Sequence, residues 1–174
     1  TLEQADSTAW MVMYALNMFR IAVILAARDD TYEDMAFKFA RHAITISVTA
    51  NLQGLWDDAD GFFYDRLRAS DGRVLELKTR SMVGVVPLFA TAVIGEERLA
   101  QLRSVVLEWA REHAPELVDI VETDQRREVF SLVRPERLTR VLEKVLDERE
   151  FLSPHGLRAL SAYHREQPLR VRLA

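Results

Sequence analysis

Residues Ala9 to Ala27 form a nearly unbroken apolar run, interrupted only by Asn17 and Arg20. The run approaches the length of a bilayer span. Arg20 near its middle would cost roughly 2.5–3.5 kcal/mol on insertion scales, and Met, Ala, Trp and Tyr are less lipophilic than a Leu-rich span. The run therefore reads as a helix over 8–27 that is buried on nearly every side rather than as a membrane element, with Asp6 or Ser7 capping its first turn. Such a helix needs a second layer of helices around it. No basic cluster precedes it, so nothing marks it as a secretory signal.

Composition narrows the function classes. The 174 residues suit a single region with a real core. The absence of cysteine excludes a disulfide scaffold, an Fe–S cluster, a thiolate zinc site and a cysteine nucleophile, and it fits a reducing, cytoplasmic setting. A formal charge of −4 speaks against nucleic-acid binding, which needs a surplus of Lys and Arg. The chain opens on Thr1-Leu2-Glu3 without a methionine, which suggests a piece of something longer.

Thr31-Tyr32-Glu33-Asp34 is a capping-box pattern for a second helix, ending near Asn51 before Gly54. Met35, Phe39, Ala43, Ile46 and Ala50 mark its apolar stripe, while Lys38, Arg41 and His42 lie off it. Ser70-Asp71-Gly72 between two strand-like runs reads as a β-hairpin over 66–78. The spacing predicts a short helix near Pro87 within 82–94, amphipathic helices over 96–112 and 134–148, and a final helix from Pro154 to about Arg165. Leu99, Leu102, Val106 and Ala110 form the stripe of the first amphipathic helix; residues 115–133 carry no clear pattern. Very apolar helices alternating with amphipathic ones suggest an all-α fold with inner and outer layers.

The loop Asp57-Asp58-Ala59-Asp60-Gly61 first suggests calcium. Aligning Gly61 with the EF-hand glycine puts Trp56 and Leu67 at ligand positions, so that reading fails. The alternative is a structured turn, its Asp side chains capping backbone amides and Trp56 and Phe62 packing inward. The four histidines, 42, 113, 155 and 164, have no metal-ligand spacing, and no nucleophile elbow, phosphate loop or dinucleotide fingerprint is present. No metal is expected. Asp6 remains: on a helix, Glu3, Asp6 and Trp10 would share a face. A carboxyl beside an indole is suited to general-acid work, because apolar surroundings favour its protonated form. Equally, an Asp at the start of a long apolar helix is commonly its cap.

Three segments occur in order: Glu3-Gln4-Ala5-Asp6-Ser7-Thr8-Ala9-Trp10, then Leu55-Trp56-Asp57-Asp58-Ala59-Asp60-Gly61-Phe62-Phe63-Tyr64-Asp65, then Arg80-Ser81-Met82-Val83-Gly84-Val85-Val86-Pro87-Leu88-Phe89-Ala90. Together with Glu150–Ser161 and Tyr163-His164-Arg165, this pattern resembles glycoside hydrolase family 63, the mannosyl-oligosaccharide glucosidase group, in its bacterial branch. The resemblance covers most of the chain and is weakest at 112–133. It implies part of an (α/α)6 barrel, an inner and outer helix toroid with one small hairpin. It further implies an inverting hydrolase acting on an α-glucosidic bond of an oligosaccharide or small glucoside. Inversion needs two carboxyls about 6.5–9.5 Å apart, with a water between them and no cofactor.

By that resemblance Asp6 is the acid, with Glu3 and Trp10 as substrate-binding neighbours, although the surrounding residues depart from the Asp-Asn-Ser-Pro style of other members. The family's general base follows a Trp-Arg-Gly-Pro-Ile-Trp stretch that is absent here. Glu143 and Asp147, on exposed faces of an amphipathic helix, are no substitute. The expectation is half of an active site in an isolated chain with little or no activity. The alternative is a non-enzymatic helical module that binds carbohydrate or protein, self-associating through exposed apolar helix faces.

Overall fold

The computed structural model describes residues 1–52, 54–94, 107–109, 111–113, 115 and 128–169. A two-residue strand, β1 (Leu2–Glu3), leads into α1 (Ala5–Ala26), and a 3-10 turn over Asp30–Tyr32 leads into α2 (Glu33–Leu52). The turn is capped by Asp29, whose carboxylate accepts from the Thr31 amide and hydroxyl at 3.0 and 2.8 Å, and α2 begins at Glu33, within the capping-box pattern.

The two helices pack through small side chains. On α1, Ala5, Ala9, Val12, Ala15, Leu16, Phe19, Ala22 and Ala26 are buried, and α2 contributes Ala36, Ala40, Ala43, Ile44, Ser47 and Ala50. These recur at three- and four-residue intervals, and the alanines let the two backbones approach closely. On α2, Lys38, Arg41 and His42 face solvent as the spacing predicts, but the buried stripe is turned so that Met35 is exposed. The larger correction concerns α1. Burial covers one face only; Met11, Tyr14, Met18, Ile21 and Ile24 are exposed, Ile24 to 66%. The helix is long and apolar enough to cross a membrane by length and composition.

The chain is not all-α, and its described residues do not form inner and outer layers of helices. Strands β2 (Trp56–Asp57) and β3 (Phe62–Phe63) pair antiparallel across the acidic turn, and β4 (Asp65–Arg68) pairs with β5 (Val74–Leu77) as the predicted hairpin. Strand β1 joins β4 through Leu2↔Leu67 and Glu3↔Arg66, making a three-stranded sheet ordered β1-β4-β5. The segment 82–94 forms two 3-10 turns, Met82–Gly84 and Val86–Phe89, followed by β6 (Thr91–Ile94), which pairs with β7 (Glu128–Ser131). Pro87 favours turn geometry there, and Thr91, Val93 and Ile94 are β-branched residues suited to a strand.

Of the helix expected over 96–112, residues 107–109 and 111–113 are helical; Leu99, Leu102, Val106 and Ala110 lie outside the described residues. The helix expected over 134–148 is α3 (Pro135–Val145), with Pro135 in its first turn. The final helix is replaced by a hairpin of β8 (Leu152–Ser153) and β9 (Gly156–Leu157) and a 3-10 turn over Ala162–Arg165. Gly156 at φ +112° makes the hairpin turn in a conformation that interrupts any helix.

An aromatic core sits where β3, α3 and the 149–151 segment meet. Phe62 and Phe151 are fully buried and stacked, centroids 5.7 Å apart, and Phe62 also lies 5.5 Å from the Tyr64 ring. Gly84 is in close approach: a methyl group there would overlap the Phe62 ring and the Phe63 carbonyl.

Candidate functional site

Asp6 lies in the first turn of α1, but it is not the N-cap. Gln4 occupies that position and makes no side-chain cap bond. Asp6 Oδ1 accepts from the Ser7 amide at 2.7 Å. The Ala5 amide, an orphan donor at the helix start, donates to Asp65 Oδ1 at 2.8 Å from β4, sixty residues away. Asp65 thus does from a distance what a local cap would do. Burial pushes the Asp65 carboxyl above its usual range and the negative charge of Asp6 adds to this, against the pull of the Ala5 amide. Two carboxylates therefore meet at the positive end of a 22-residue helix.

Glu3 is on strand β1 rather than the helix, so it does not share a helical face with Asp6. Its Oε1 accepts from Arg68 Nε and Nη2, both at 2.9 Å, while Oε2 is buried without a hydrogen-bond partner. Trp10 does lie one turn beyond Asp6. It is 41% exposed and tilted against Phe89, itself exposed, with centroids 6.4 Å apart. On the adjoining rows of the two helices, Ser7, Thr8, Thr45 and Thr49, with Met11 and Ile46, line an open groove of about 440 Å³.

The acidic turn is a second polar centre. Asp57 Oδ1 accepts from the Asp60 amide at 2.7 Å, its Oδ2 lies 2.5 Å from Lys78 Nζ, and Asp58 Oδ1 accepts from Trp56 Nε1 at 2.7 Å. Burial works to raise the Asp57 carboxyl, but Lys78 and the turn amides outweigh it and hold the group below its usual range. Trp56 and Phe62 are buried, and the Asp side chains close the turn on its own backbone. With these carboxylates engaged, no group of three or more His, Asp or Glu among the described residues could hold a metal ion.

Sequence reasoning did not single out Arg80, around which three remote segments converge. Its guanidinium donates to Asp60 Oδ1 at 3.0 Å, Glu150 Oε1 at 2.5 Å and the Tyr64 hydroxyl at 3.2 Å, and lies 4.0 Å over the Tyr163 ring. It is only 12% exposed. Glu150 is further bound by the Ser161 hydroxyl, and Tyr64 donates to Asp60 Oδ2 at 3.1 Å. The Arg80 amide donates to His164 Nε2 at 2.8 Å, while His164 Nδ1 lies 2.8 Å from the Gln167 carbonyl, which assigns the ring proton to Nδ1. Burial of Tyr64 raises its phenol well above the usual range. Burial alone would lower the Arg80 guanidinium, but Tyr64, Glu150 and Asp60 together raise it, so the clamp stays charged. One signal was available: Asp60, Arg80 and Glu150 each fall in a different segment of the quoted resemblance. No local signal could reveal Asp65, because its partner is a backbone amide sixty residues earlier.

No protein-family model matches the chain, and no solved structure matches it. Over 98% of its length, in an alignment of 195 residues, it is 38% identical to the uncharacterized protein YMR196W of Saccharomyces cerevisiae strain S288c. The chain spans 18% of that relative's length, so the similarity places it beside one region of a much longer protein.

Proposed function

We propose that this chain supplies the proton-donating part of a site that hydrolyses an α-glucosidic bond of an oligosaccharide or small glucoside by inversion, with Asp6 as general acid. The observation that carries the reading is the meeting of Asp6 and Asp65 one helical turn from the exposed Trp10–Phe89 pair. An apolar ring surface beside carboxyls suits a sugar, whose C–H face packs on aromatic rings while its oxygens take a proton. The general base lies outside the chain, and the reaction needs no cofactor, metal, nucleic acid or membrane.

The test is kinetic. In an active α-glucosidase that contains this region, Asp6→Asn lowers kcat about 10²–10⁴-fold, the range of a positioned general acid. A loss below tenfold would return Asp6 to a structural role at the helix start. Chain 1–174 by itself has little or no hydrolytic activity; turnover of an α-glucoside by it, abolished by Asp6→Asn, would show that no outside base is needed.

A second reading is a non-enzymatic module that binds carbohydrate or protein and is covered by a second copy of itself. The exposed row Met11, Tyr14, Met18, Ile21 and Ile24 favours it, since an apolar stripe of this size calls for a partner. Light scattering decides: this reading expects a discrete dimer, and a monomer at tens of micromolar removes it.

A further inference from the structure

The segment 159–167 is fastened to residues 80–82 by main-chain bonds and by one side chain. The Met82 amide donates to the Ala159 carbonyl at 2.9 Å and the Ser161 amide to the Arg80 carbonyl at 2.8 Å, with Ser81 and Leu160 opposed as an antiparallel bridge. A third bond runs from the Arg80 amide to His164 Nε2 at 2.8 Å. Of these three, it alone has a titratable acceptor. The half-buried His164 ring is anchored on its other side, where Nδ1 lies 2.8 Å from the Gln167 carbonyl, and the His164 amide donates to the Ser161 carbonyl at 3.2 Å. A neutral ring with its proton on Nδ1 accepts at Nε2, whereas both nitrogens of an imidazolium donate.

We propose that His164 is a proton-operated latch: the neutral ring holds the 162–167 turn on Arg80, and protonation at Nε2 releases it. The latch is independent of the Asp6 reading. A proton on Nε2 points N–H at the Arg80 N–H, so two donors face each other in a half-buried place and neither has its acceptor. Opening relieves the conflict by giving both to water. The charges around the junction do not remove it. Asp60 and Glu150 offset Arg80 and Lys144, the exposed Arg165 and Glu166 beside His164 are of opposite sign, and the Tyr163 ring lies edge-on to the imidazole with centroids 5.4 Å apart. Release also draws Tyr163 away from the Arg80 guanidinium, which lies 4.0 Å over its ring. The bonds at Met82 and Ser161 have no titratable member and stay closed, so the movement is confined to the turn.

NMR of chain 1–174 from about pH 8 to about pH 5, the interval in which a histidine changes charge, tests the latch. The Arg80 amide resonance should move with the same midpoint as the His164 ring. Its hydrogen-exchange protection, corrected for the intrinsic pH dependence of exchange, should fall about tenfold, the worth of one lost hydrogen bond, while the Met82 and Ser161 amides stay protected. His164→Gln, which keeps an acceptor that does not titrate, should abolish the pH dependence. His164→Phe should leave the Arg80 amide as open near pH 8 as it is near pH 5 in the unmodified chain. Equal protection of the Arg80 amide at the two pH values overturns the proposal, as does an undiminished pH dependence in His164→Gln. An equal loss at Met82 and Ser161 also overturns it, since the whole segment would then be unfolding in acid.

Discussion

The α1–α2 pair and the region around the acidic turn solve opposite problems. The helix pair buries many small residues against each other and leaves several large apolar side chains outside: Ala9, Ala40 and Ala43 are buried, while Tyr14 and Ile24 are more than 60% exposed. The turn region buries its large aromatics and ties its charges to one another, from Lys78–Asp57 through Asp60–Arg80 to Glu150–Ser161. The turn region therefore pairs most of its charges internally, whereas the helix pair carries an exposed apolar face. Stability should accordingly be concentrated in the first and association in the second.

The sharpest test is Phe62→Ala. Phe62 is fully buried between Phe151 and Tyr64, so truncation should cost about 3–5 kcal/mol in urea unfolding. Ile24→Ala, on the exposed helix face, should stay within about 0.5 kcal/mol. Comparable losses at the two sites would break the contrast and show that Ile24 is covered. Next comes Arg80→Met, which leaves Asp60 and Glu150 facing each other without their shared cation; a loss of roughly 3 kcal/mol is expected. A neutral result would mean that Lys78 or water replaces the guanidinium.

Asp65→Ala removes the long-range cap of α1 and should cost about 1 kcal/mol, while Asp65→Asn, which keeps an acceptor, should cost only a few tenths. The two regions also differ in acid. The raised Asp65 carboxyl binds its proton more readily in the folded state, so its contribution to stability grows as pH falls through its folded value. The lowered Asp57 carboxyl behaves oppositely: its contribution is present above the unfolded value and is lost as pH falls through the folded one. Urea midpoints from about pH 7 down through the carboxylate range should fall more steeply in Asp65→Asn and less steeply in Asp57→Asn than in the unmodified chain. Identical slopes would remove the contrast. The smallest effect on stability is expected for Ile24→Glu, within about 0.5 kcal/mol; light scattering should show it abolishing any self-association that the α1 face supports.

Much of the local structure was legible because it depends on neighbours in sequence. The 3.6-residue apolar spacing located α1, α2 and α3, Ser70-Asp71-Gly72 located a hairpin whose Gly72 sits at φ +85°, and the spacing of the Asp-rich loop identified a self-capped turn. The fold class was misread for an equally physical reason. Helices were expected within 82–94 and over 154–165, but Pro87, Pro154 and Gly156 and the β-branched residues of 91–94 favour the 3-10 turns and short strands found there. Periodicity also could not tell a helix apolar all round and buried from one apolar all round and half exposed. Trp10 and Asp6 were placed correctly relative to each other, one turn apart, while Glu3 was lost to a strand because β4 pairs with it.

By itself the sequence determined that α1, α2 and α3 are helices and how the acidic turn closes, since these follow from apolar spacing and capping along the chain. Only the tertiary structure decided which face of α1 is buried, that Asp65 rather than Asp6 caps it, and that Asp60, Glu150 and Tyr64 gather on Arg80. Those outcomes join groups up to 70 residues apart, and contacts at such separations leave no local period or motif to read.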